Sequence, residues 1–326
     1  MRELVRTNNA VLITAIEALL KAADIPHVVL DRHMSVLEGS LGILPRRILV
    51  DDEHQDVARQ LLADAGLAHE LRPGSAQPEL TDDGVLGGRL KLRQKKRGHR
   101  FGHDAILLAA ATTARAGDRA IDLGAGVGAA GLALAVRVPG VDVTLVEIDA
   151  GLAAIAADNI KRNGLGERVR VVTLDVAAPA DEFAARGLEA GRADHVLMNP
   201  PFNDPARQNV SPDPGRRLAH AGGALGDWVA AAARLLHSAG TLTVIWRADG
   251  LADVLAALDE FGDLTVLPVH GRAGQPAIRV LVAARKGGRA PLRLMAPLML
   301  NDGNGRPTAQ AEAVLRDAAP LSLNGE

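Results

Sequence analysis

Cysteine and tyrosine are absent from this sequence of 326 residues, and aromatic residues together make up only 2% of it. Without cysteine the chain can form no disulfide, no thiolate nucleophile and no Cys-ligated zinc site. With four Phe and two Trp, a surface on which many bases stack is not expected. The amino terminus lacks the apolar core of a signal peptide, and no apolar run approaches the roughly 18 residues of a membrane span. We therefore expect a cytoplasmic protein that makes no contact with a membrane.

An excess of charge of either sign is also lacking, because the formal net charge is −2. A chain without a global cationic field can attract nucleic acid only through a local basic patch. One stretch has this character, since no acid occurs between Gly84 and His103. We interpret it as a phosphate-contacting hairpin, with an ordinary solvated face as the alternative. Its cations are Arg89, Lys91 and five residues that we predict to bind RNA, namely Arg93, Lys95, Lys96, Arg97 and Arg100.

A segment rich in Pro, Gly and Ser at residues 72–79 is typical of a linker between two domains. Before it, residues 1–71 have the pattern of a small α+β domain with the order β-α-β-β-α. No cluster of catalytic residue types occurs in this part. The segment resembles a small signal-transducing-type domain, and this resemblance implies a binding or docking role without chemistry.

From residue 80 to residue 326, short β-rich runs alternate with helical runs rich in Ala and Leu. We predict strands at residues 118–123, 141–147, 169–174, 195–198, 240–246, 264–270 and 278–284. Helices are predicted between them, for example at residues 151–163, 226–237 and 251–261. Alternating β and α units predict a doubly wound, mostly parallel seven-stranded sheet. Ligands of such sheets bind at the carboxyl ends of the strands, so functional residues should follow the strands directly.

Three glycines at alternate positions, Gly124, Gly126 and Gly128, follow the first of these strands. They permit a tight turn and a close approach of the backbone to a ligand. The helix that follows offers its first N–H groups to a polar ligand. The spacing also satisfies the dinucleotide pattern G-x-G-x-x-G. The loop alone therefore does not distinguish a dinucleotide from another nucleoside cofactor.

Acidic residues follow the next two strands. The second strand ends in Glu147, with Asp149 close behind, and a carboxylate there can accept both hydroxyl hydrogens of a ribose. After the third strand, Asp175 is placed either to bind an adenine amino group or to cap a turn. These acids indicate an adenosine-containing ligand without naming it.

The fourth strand runs into Asn199-Pro200-Pro201-Phe202, and this motif suits a demanding reaction. The exocyclic amine of a purine is flat and conjugated, so it is a poor nucleophile. Two acceptors can orient it for attack on a methyl sulfonium, and here they are the Asn199 side-chain oxygen and the Pro200 carbonyl. Tandem prolines fix the backbone, and Phe202 offers a face on which an extruded base can stack. No metal is required, and we predict none.

Together these residues resemble the Rossmann-like class I methyltransferases that carry D-x-G-x-G and N-P-P-F motifs. Within them, the chain is most similar to bacterial tRNA adenine-N6 methyltransferases that modify an adenosine beside the anticodon of a valine tRNA. Residues 100–108 also resemble the element that precedes the first strand of that group. The resemblance implies S-adenosylmethionine as cofactor and Asn199, Pro200, Pro201 and Phe202 as the residues that hold the base. The cofactor-binding residues that we predict are Asp104, Asp122, Gly124, Ala125, Gly126, Gly128, Glu147, Asp149, Asp175 and Asn199.

Other functions remain open at this point. A guanine-N2 methyltransferase of ribosomal RNA or a protein glutamine-N5 methyltransferase would present a similar planar nitrogen to the same motif. The basic stretch favours nucleic acid over a protein target. A nicotinamide-dependent oxidoreductase fits the glycine spacing, but nothing after Asn199 supplies an obvious acid or base for hydride transfer. A non-catalytic sensor would not be expected to retain Asp122, Glu147 and Asn199.

Overall fold

A computed structural model describes residues 2–30, 46–51, 53–71, 80–96, 101–201 and 225–323. The described residues divide into two compact units, a first unit up to residue 71 and a second unit from residue 80 onward. The linker expected at residues 72–79 lies outside the described residues, so the domain boundary there stays a prediction. No helix in the described ranges combines the length and the apolar character that a membrane crossing requires.

The described part of the first unit contains a three-stranded antiparallel sheet and two α-helices. Its strands are β1 (Arg2–Thr7), β2 (His27–Leu30) and β3 (Arg46–Val50), and its helices are α1 (Ala10–Ala22) and α2 (Gln55–Asp64). Strand β3 lies between the other two. Helix α1 begins after Asn9, whose side chain accepts hydrogen bonds from two first-turn N–H groups and thereby caps the helix. Both helices contribute to one apolar core, in which Leu4, Ile16 and Leu62 are fully buried.

The second unit begins with an antiparallel hairpin that forms its own two-stranded sheet, β4 (Leu80–Val85) and β5 (Leu90–Lys95). A large sheet follows. Its strands are β6 (Arg119–Leu123), β7 (Asp142–Glu147), β8 (Val169–Thr173), β9 (Ala193–Met198), β10 (Leu236–Arg247), β11 (Phe261–Arg272), β12 (Ala277–Lys286), β13 (Arg293–Leu294) and β14 (Leu298–Asn301). Their spatial order is β13-β11-β12-β10-β9-β6-β7-β8, with β14 also paired to β11.

The central strands of this sheet are parallel. Strand β6 pairs in parallel with β7 and β9, and the parallel pairing continues to β8 on one side and β10 on the other. Strand β12 is antiparallel to both of its neighbours, β10 and β11. The sheet is therefore mostly parallel, with one antiparallel strand inserted near its edge.

Helices cover both faces of the sheet. They are α3 (His103–Ala111), α4 (Ala129–Arg137), α5 (Ala150–Arg162), α6 (Ala180–Ala185), α7 (Leu225–Leu235), α8 (Leu251–Ala257) and α9 (Ala309–Asp317). Consecutive residues of one strand point to opposite faces. Leu145 accordingly packs in one buried apolar cluster and Val146 in another. Two cores on one sheet are the signature of a doubly wound arrangement.

The predicted fold class, a doubly wound and mostly parallel sheet, is confirmed, but the sheet has two strands beyond the predicted seven, β13 and β14. All seven predicted strands of the second unit are present, and the order β-α-β-β-α is found in the first. Helix α8 was predicted to reach residue 261 but ends at Ala257, and that part of the prediction was wrong. Phe261 is instead the first residue of β11, where it pairs with Lys286.

Candidate active site

The carboxyl ends of three adjacent strands meet at one edge of the large sheet. Leu123 near the end of β6 pairs with Val146 of β7 on one side and Met198 of β9 on the other. The next residues along these strands are the first loop glycine, Glu147 and Asn199. Neighbouring strands lie about 4.8 Å apart. The structure therefore brings the glycine loop, the acid and the asparagine to one place, as the sequence predicted.

The loop between β6 and α4 has one packed face and one open face. Gly124 has a φ of +69°, and a Cβ added to it would lie 2.4 Å from the ring of Trp228. Gly126 also has a positive φ, +57°, but a Cβ added there would meet none of the described residues within 4 Å. The tryptophan thus closes one side of the loop, while the backbone at Gly126 borders free space.

Glu147 is buried and holds the loop through its carboxylate. Its Oε2 accepts a hydrogen bond of 2.7 Å from the backbone N–H of Gly126, and its Oε1 accepts one of 2.9 Å from the N–H of Asp149. Burial raises the pKa of Glu147, and the hydrogen bonds from these N–H groups act in the opposite direction. Each carboxylate oxygen keeps a second lone pair, so the group can still accept hydrogens from a ribose.

Asp122, which was predicted to line the cofactor pocket, lies buried beneath the glycine loop. The residue is 2% exposed, and its direct contact with the cofactor stays a prediction. Its Oδ2 accepts a hydrogen bond of 2.8 Å from the N–H of Gly131 in the first turn of α4. The structure therefore gives Asp122 a supporting role beneath the glycine loop, because strand β6 directs this carboxylate into the protein.

Burial raises the pKa of Asp122 to about 7, against the lowering effect of the Gly131 N–H and with a smaller contribution from the negative charge of Glu147. Since the ordinary value is 3.8, the unfolded chain releases this proton well before the folded protein does. The associated stability is complete below pH 3.8 and is lost as the pH rises through about 7.

We expect Asp122→Asn to remove this part of the pH dependence. Asparagine can still accept the Gly131 hydrogen bond but has no proton to lose. Thermal unfolding of both proteins between pH 4 and pH 8 measures the effect, and the Tm of the variant relative to wild type should rise by roughly 5 °C or more over that range. If the difference in Tm between Asp122→Asn and wild type stayed constant from pH 4 to pH 8, Asp122 would not titrate in this range.

Three other predicted cofactor residues each make a contact with the protein itself. Oδ1 of Asp149 caps α5 by accepting from two first-turn N–H groups at 2.7 and 2.9 Å. Oδ1 of Asp175 accepts from the N–H of Ala177 at 2.9 Å, which is the turn-capping alternative. Oδ2 of Asp104, in the first turn of α3, accepts from Nε of Arg279 at 2.8 Å. These contacts fix the loops that border the site, and direct binding of a cofactor by the three acids stays a prediction.

The side-chain oxygen of Asn199, in the predicted motif, accepts no hydrogen bond from the described residues. Oδ1 of Asn199 is buried and has no hydrogen-bond partner among the described residues. Pro200 beside it is buried and Pro201 is exposed. A buried polar atom without a partner costs free energy, and a ligand group that donated a hydrogen bond to it would remove that cost. Phe202 lies outside the described residues.

These features fit S-adenosylmethionine. The Glu147 carboxylate matches a ribose diol, and the open backbone at Gly126 can approach a ligand closely. The residues that would hold the cofactor are therefore Glu147 and the loop around Gly126. Ala125 and Gly128 belong to the same loop, and their direct contact with the cofactor stays a prediction.

The basic stretch forms a hairpin, but one of its cations is already paired. The Arg93 guanidinium lies 3.1 Å from a carboxylate oxygen of Asp158 and 3.6 Å from one of Asp82. This pairing reduces the charge that Arg93 can offer to a phosphate. Lys95 is half-buried and Lys96 is exposed. Two further predicted RNA contacts lie outside the described residues, Arg97 and Arg100.

Sequence reasoning missed two residues that shape the site, Trp228 and Asn159. Trp228 is one of only two tryptophans and was placed in a predicted helix without a role. Asn159 lies inside α5, where asparagine is a poor helix former, and its side chain is fully buried. A polar residue on the buried face of a helix was the available signal, because such a group must find partners.

Comparisons with known proteins divide the chain in two. Residues 101–269 match the family described as "Methyltransferase small domain". Residues 1–66 match the family described as "Putative prokaryotic signal transducing protein".

Curated relatives fall into two groups of methyltransferases. A tRNA1(Val) (adenine(37)-N6)-methyltransferase of Dickeya chrysanthemi is 30% identical over 231 residues, which cover 67% of this chain and 87% of the relative. A release factor glutamine methyltransferase of Chlorobaculum tepidum is 29% identical over 161 residues, 47% of this chain and 53% of that protein.

A solved structure has the same architecture as the second unit. The crystal structure of a predicted O-methyltransferase of Agrobacterium tumefaciens has a TM-score of 0.59 and 32% sequence identity. The likeness covers 68% of this chain and 99% of that one.

Proposed function

Because the chain belongs to the methyltransferase small domain family, we propose that it methylates the exocyclic N6 amine of an adenine in tRNA, next to the anticodon. The predictions of a class I methyltransferase and of S-adenosylmethionine as its cofactor are confirmed by this membership. The adenine substrate rests on the relatives that are tRNA1(Val) (adenine(37)-N6)-methyltransferases. A tRNA substrate also implies the cytoplasm as the place of action.

One observation supports a planar amine as the acceptor of the methyl group. Oδ1 of Asn199 is a buried acceptor that finds no donor in the described part of the chain, and it lies beside the glycine loop that the cofactor needs. An exocyclic amine has two hydrogens, of which Asn199 can take one and the carbonyl of Pro200 the other. Holding both hydrogens aims the nitrogen lone pair along one direction and favours the change from planar to tetrahedral geometry.

The chain's own residues supply orientation and exclusion of water. S-adenosylmethionine, when bound, supplies an activated methyl carbon on a sulfonium. Asn199 and the carbonyl of Pro200 would hold the amine nitrogen toward that carbon, and the amine would release one proton to water once it is methylated. Asn199 stabilises the positive charge that develops on the amine, because its oxygen is the negative end of a preorganised dipole in a buried setting.

A protein glutamine-N5 methyltransferase is the second candidate. The relative from Chlorobaculum tepidum carries that name, and an amide nitrogen would present two hydrogens in the same way. The basic hairpin favours RNA, because an exposed Lys96 and its neighbours attract phosphate more strongly than a neutral side chain.

One assay distinguishes the tRNA adenine-N6 methyltransferase from the protein glutamine-N5 methyltransferase. Purified protein is incubated with methyl-labelled S-adenosylmethionine, total bacterial RNA and total bacterial protein, and the RNA is then digested to nucleosides. Label in N6-methyladenosine is the expected result. Label in N2-methylguanosine, or in the protein fraction alone, would contradict the proposal.

RNA binding should depend on salt and on the basic hairpin. The combined variant Lys95→Ala, Lys96→Ala and Arg97→Ala is expected to weaken RNA affinity about tenfold and to reduce the slope of log K against log salt by roughly three. The exposed Arg192 lies just before β9, at the opposite edge of the sheet, and Arg192→Ala is the matched control. A flat salt response of the wild type, or equal effects of both variants, would count against the hairpin as the RNA contact.

A further inference from the structure

Two asparagines on one face of α5 bind the backbone of the hairpin strand β5. They are Asn159 and Asn163, separated by four residues and therefore about one helical turn apart. Asn159 is fully buried, and Asn163 lies at the end of the helix. Each side-chain amide forms hydrogen bonds with both the backbone N–H and the C=O of one residue of β5, which is Arg93 for Asn159 and Lys91 for Asn163. A neighbouring β-strand would satisfy these two groups in the same way.

Asn159 has a second contact that reaches the glycine loop. Its Oδ1 accepts the N–H of Arg93 at 2.7 Å, and its Nδ2 donates to the carbonyl of Arg93 at 3.0 Å. The same Nδ2 donates to the carbonyl of Val127 at 3.0 Å. One amide group therefore joins the middle of β5 to the middle of the loop, with both of its hydrogens in use.

The bonded loop peptide is the one between Val127 and Gly128. Its C=O accepts from Asn159, and its N–H donates to the carbonyl of Ala125 at 2.8 Å. The N–H of Ala125 in turn donates to the carbonyl of Val146 on β7 at 2.9 Å. With both of its polar groups held, this peptide cannot rotate unless the bond to Asn159 breaks. The orientation of the loop and the position of β5 are thereby linked.

We propose that Asn159 is a positioning residue that couples RNA binding at the hairpin to cofactor binding at the glycine loop. This inference rests on the proposed function, since it takes RNA to be the ligand of the hairpin. A ligand that orders the loop fixes the carbonyl of Val127, and through Asn159 it also fixes the backbone of Arg93. RNA that orders the hairpin acts in the reverse direction, because coupling between two sites is reciprocal.

Asn163, the C-cap residue of α5, is a matched control for Asn159. Its Oδ1 accepts the N–H of Lys91 at 2.9 Å, and its Nδ2 donates to the carbonyl of Lys91 at 2.8 Å. Its remaining contact is to the carbonyl of Asn159 in the same helix, at 2.7 Å. It thus makes the same two bonds to β5 as Asn159, and its third bond goes to the helix backbone, where Asn159 instead reaches the loop.

The first test compares Asn159→Ala with Asn163→Ala. The affinity for an unmodified tRNA1(Val) transcript is measured with and without saturating S-adenosylhomocysteine. In wild type and in Asn163→Ala, we expect S-adenosylhomocysteine to raise RNA affinity about fivefold or more. In Asn159→Ala the two affinities should agree within about twofold. Both variants lose bonds to β5, so loss of those bonds alone would change the ratio equally in both.

The second test uses the wild-type protein and needs no variant to fold. Amide hydrogen exchange is followed at Arg93 and Lys91 with and without S-adenosylhomocysteine. Binding should slow exchange at the Arg93 amide about fivefold or more and leave that of Lys91 within about twofold, because only Arg93 is tied to the loop through its asparagine.

The results of these two tests distinguish a failure of the coupling through Asn159 from a failure of the proposed methyltransferase function. Equal slowing at both amides, or an unchanged affinity ratio in Asn159→Ala, would overturn the coupling and leave the methyltransferase proposal intact. Failure of the wild type to bind the transcript at all would overturn both, since the hairpin would then lack its proposed ligand.

Discussion

Replacement of Asn199 by alanine is expected to lower kcat for methyl transfer at least about 100-fold, while the affinity for S-adenosylmethionine stays within about threefold of wild type. The reason is that Oδ1 of Asn199 has no partner among the described residues. It is therefore available for the amine of the substrate, and its loss removes an interaction that strengthens as charge develops on nitrogen. Single-turnover kinetics give kcat, and calorimetry gives the cofactor affinity.

A second substitution at this position separates the acceptor from the shape of the side chain. Asn199→Asp keeps an acceptor oxygen, so it should retain more activity than Asn199→Ala. Asn304→Ala, in an exposed turn, controls for the general effect of losing an amide. Full activity of Asn199→Ala would contradict the role of Oδ1 as the acceptor for the substrate amine. Equal activities of Asn199→Asp and Asn199→Ala would contradict it as well.

Replacement of Gly124 by alanine should destabilise the second unit by about 2–5 kcal/mol, which combines left-handed backbone strain with overpacking. The added Cβ would lie 2.4 Å from the ring of Trp228, a contact that no relaxed side chain makes. Trp228 is 5% exposed and cannot move into solvent without opening the core. Thermal unfolding measures the effect, and we expect Tm to fall by roughly 10 °C.

Gly126→Ala is the matched control, because it has a similar positive φ but no neighbour within 4 Å of the added Cβ. Its cost in stability should be only about 1–2 kcal/mol. The new methyl group would occupy the free side of the loop, so cofactor affinity should fall at least about tenfold. Equal stabilities of the two variants would show that Trp228 does not press on Gly124.

Much of the fold could be predicted from the sequence because its signals are local. Alternation of apolar strands and Ala-rich helices identified the doubly wound sheet, and the rule that ligands bind at carboxyl ends brought Glu147 and Asn199 together. Helix α8 was predicted four residues too long because Phe261 continues its apolar pattern. The pairing of that residue with Lys286 decided in favour of a strand, and the partner is distant in the chain.

The supporting residues could not be predicted because their partners are far away in sequence. Asn159 bonds residues 66 and 32 positions away, and no local pattern specifies such pairs. A motif gives the order of its residues but not the face to which each side chain turns, so the bond between Asp122 and Gly131 was not predicted. Trp228 packs on a glycine about a hundred residues earlier in the chain.

Transfer of label to a defined RNA tests the central claim most directly. Unmodified tRNA1(Val) is transcribed with adenine at position 37, the position in the names of the relatives, and again with guanine there. Each transcript is incubated with the protein and labelled S-adenosylmethionine, then digested to nucleosides. We predict N6-methyladenosine from the first transcript and no label in the second. Label in both transcripts, or in neither, would contradict the assignment of Asn199 and Pro200 to that adenine amine.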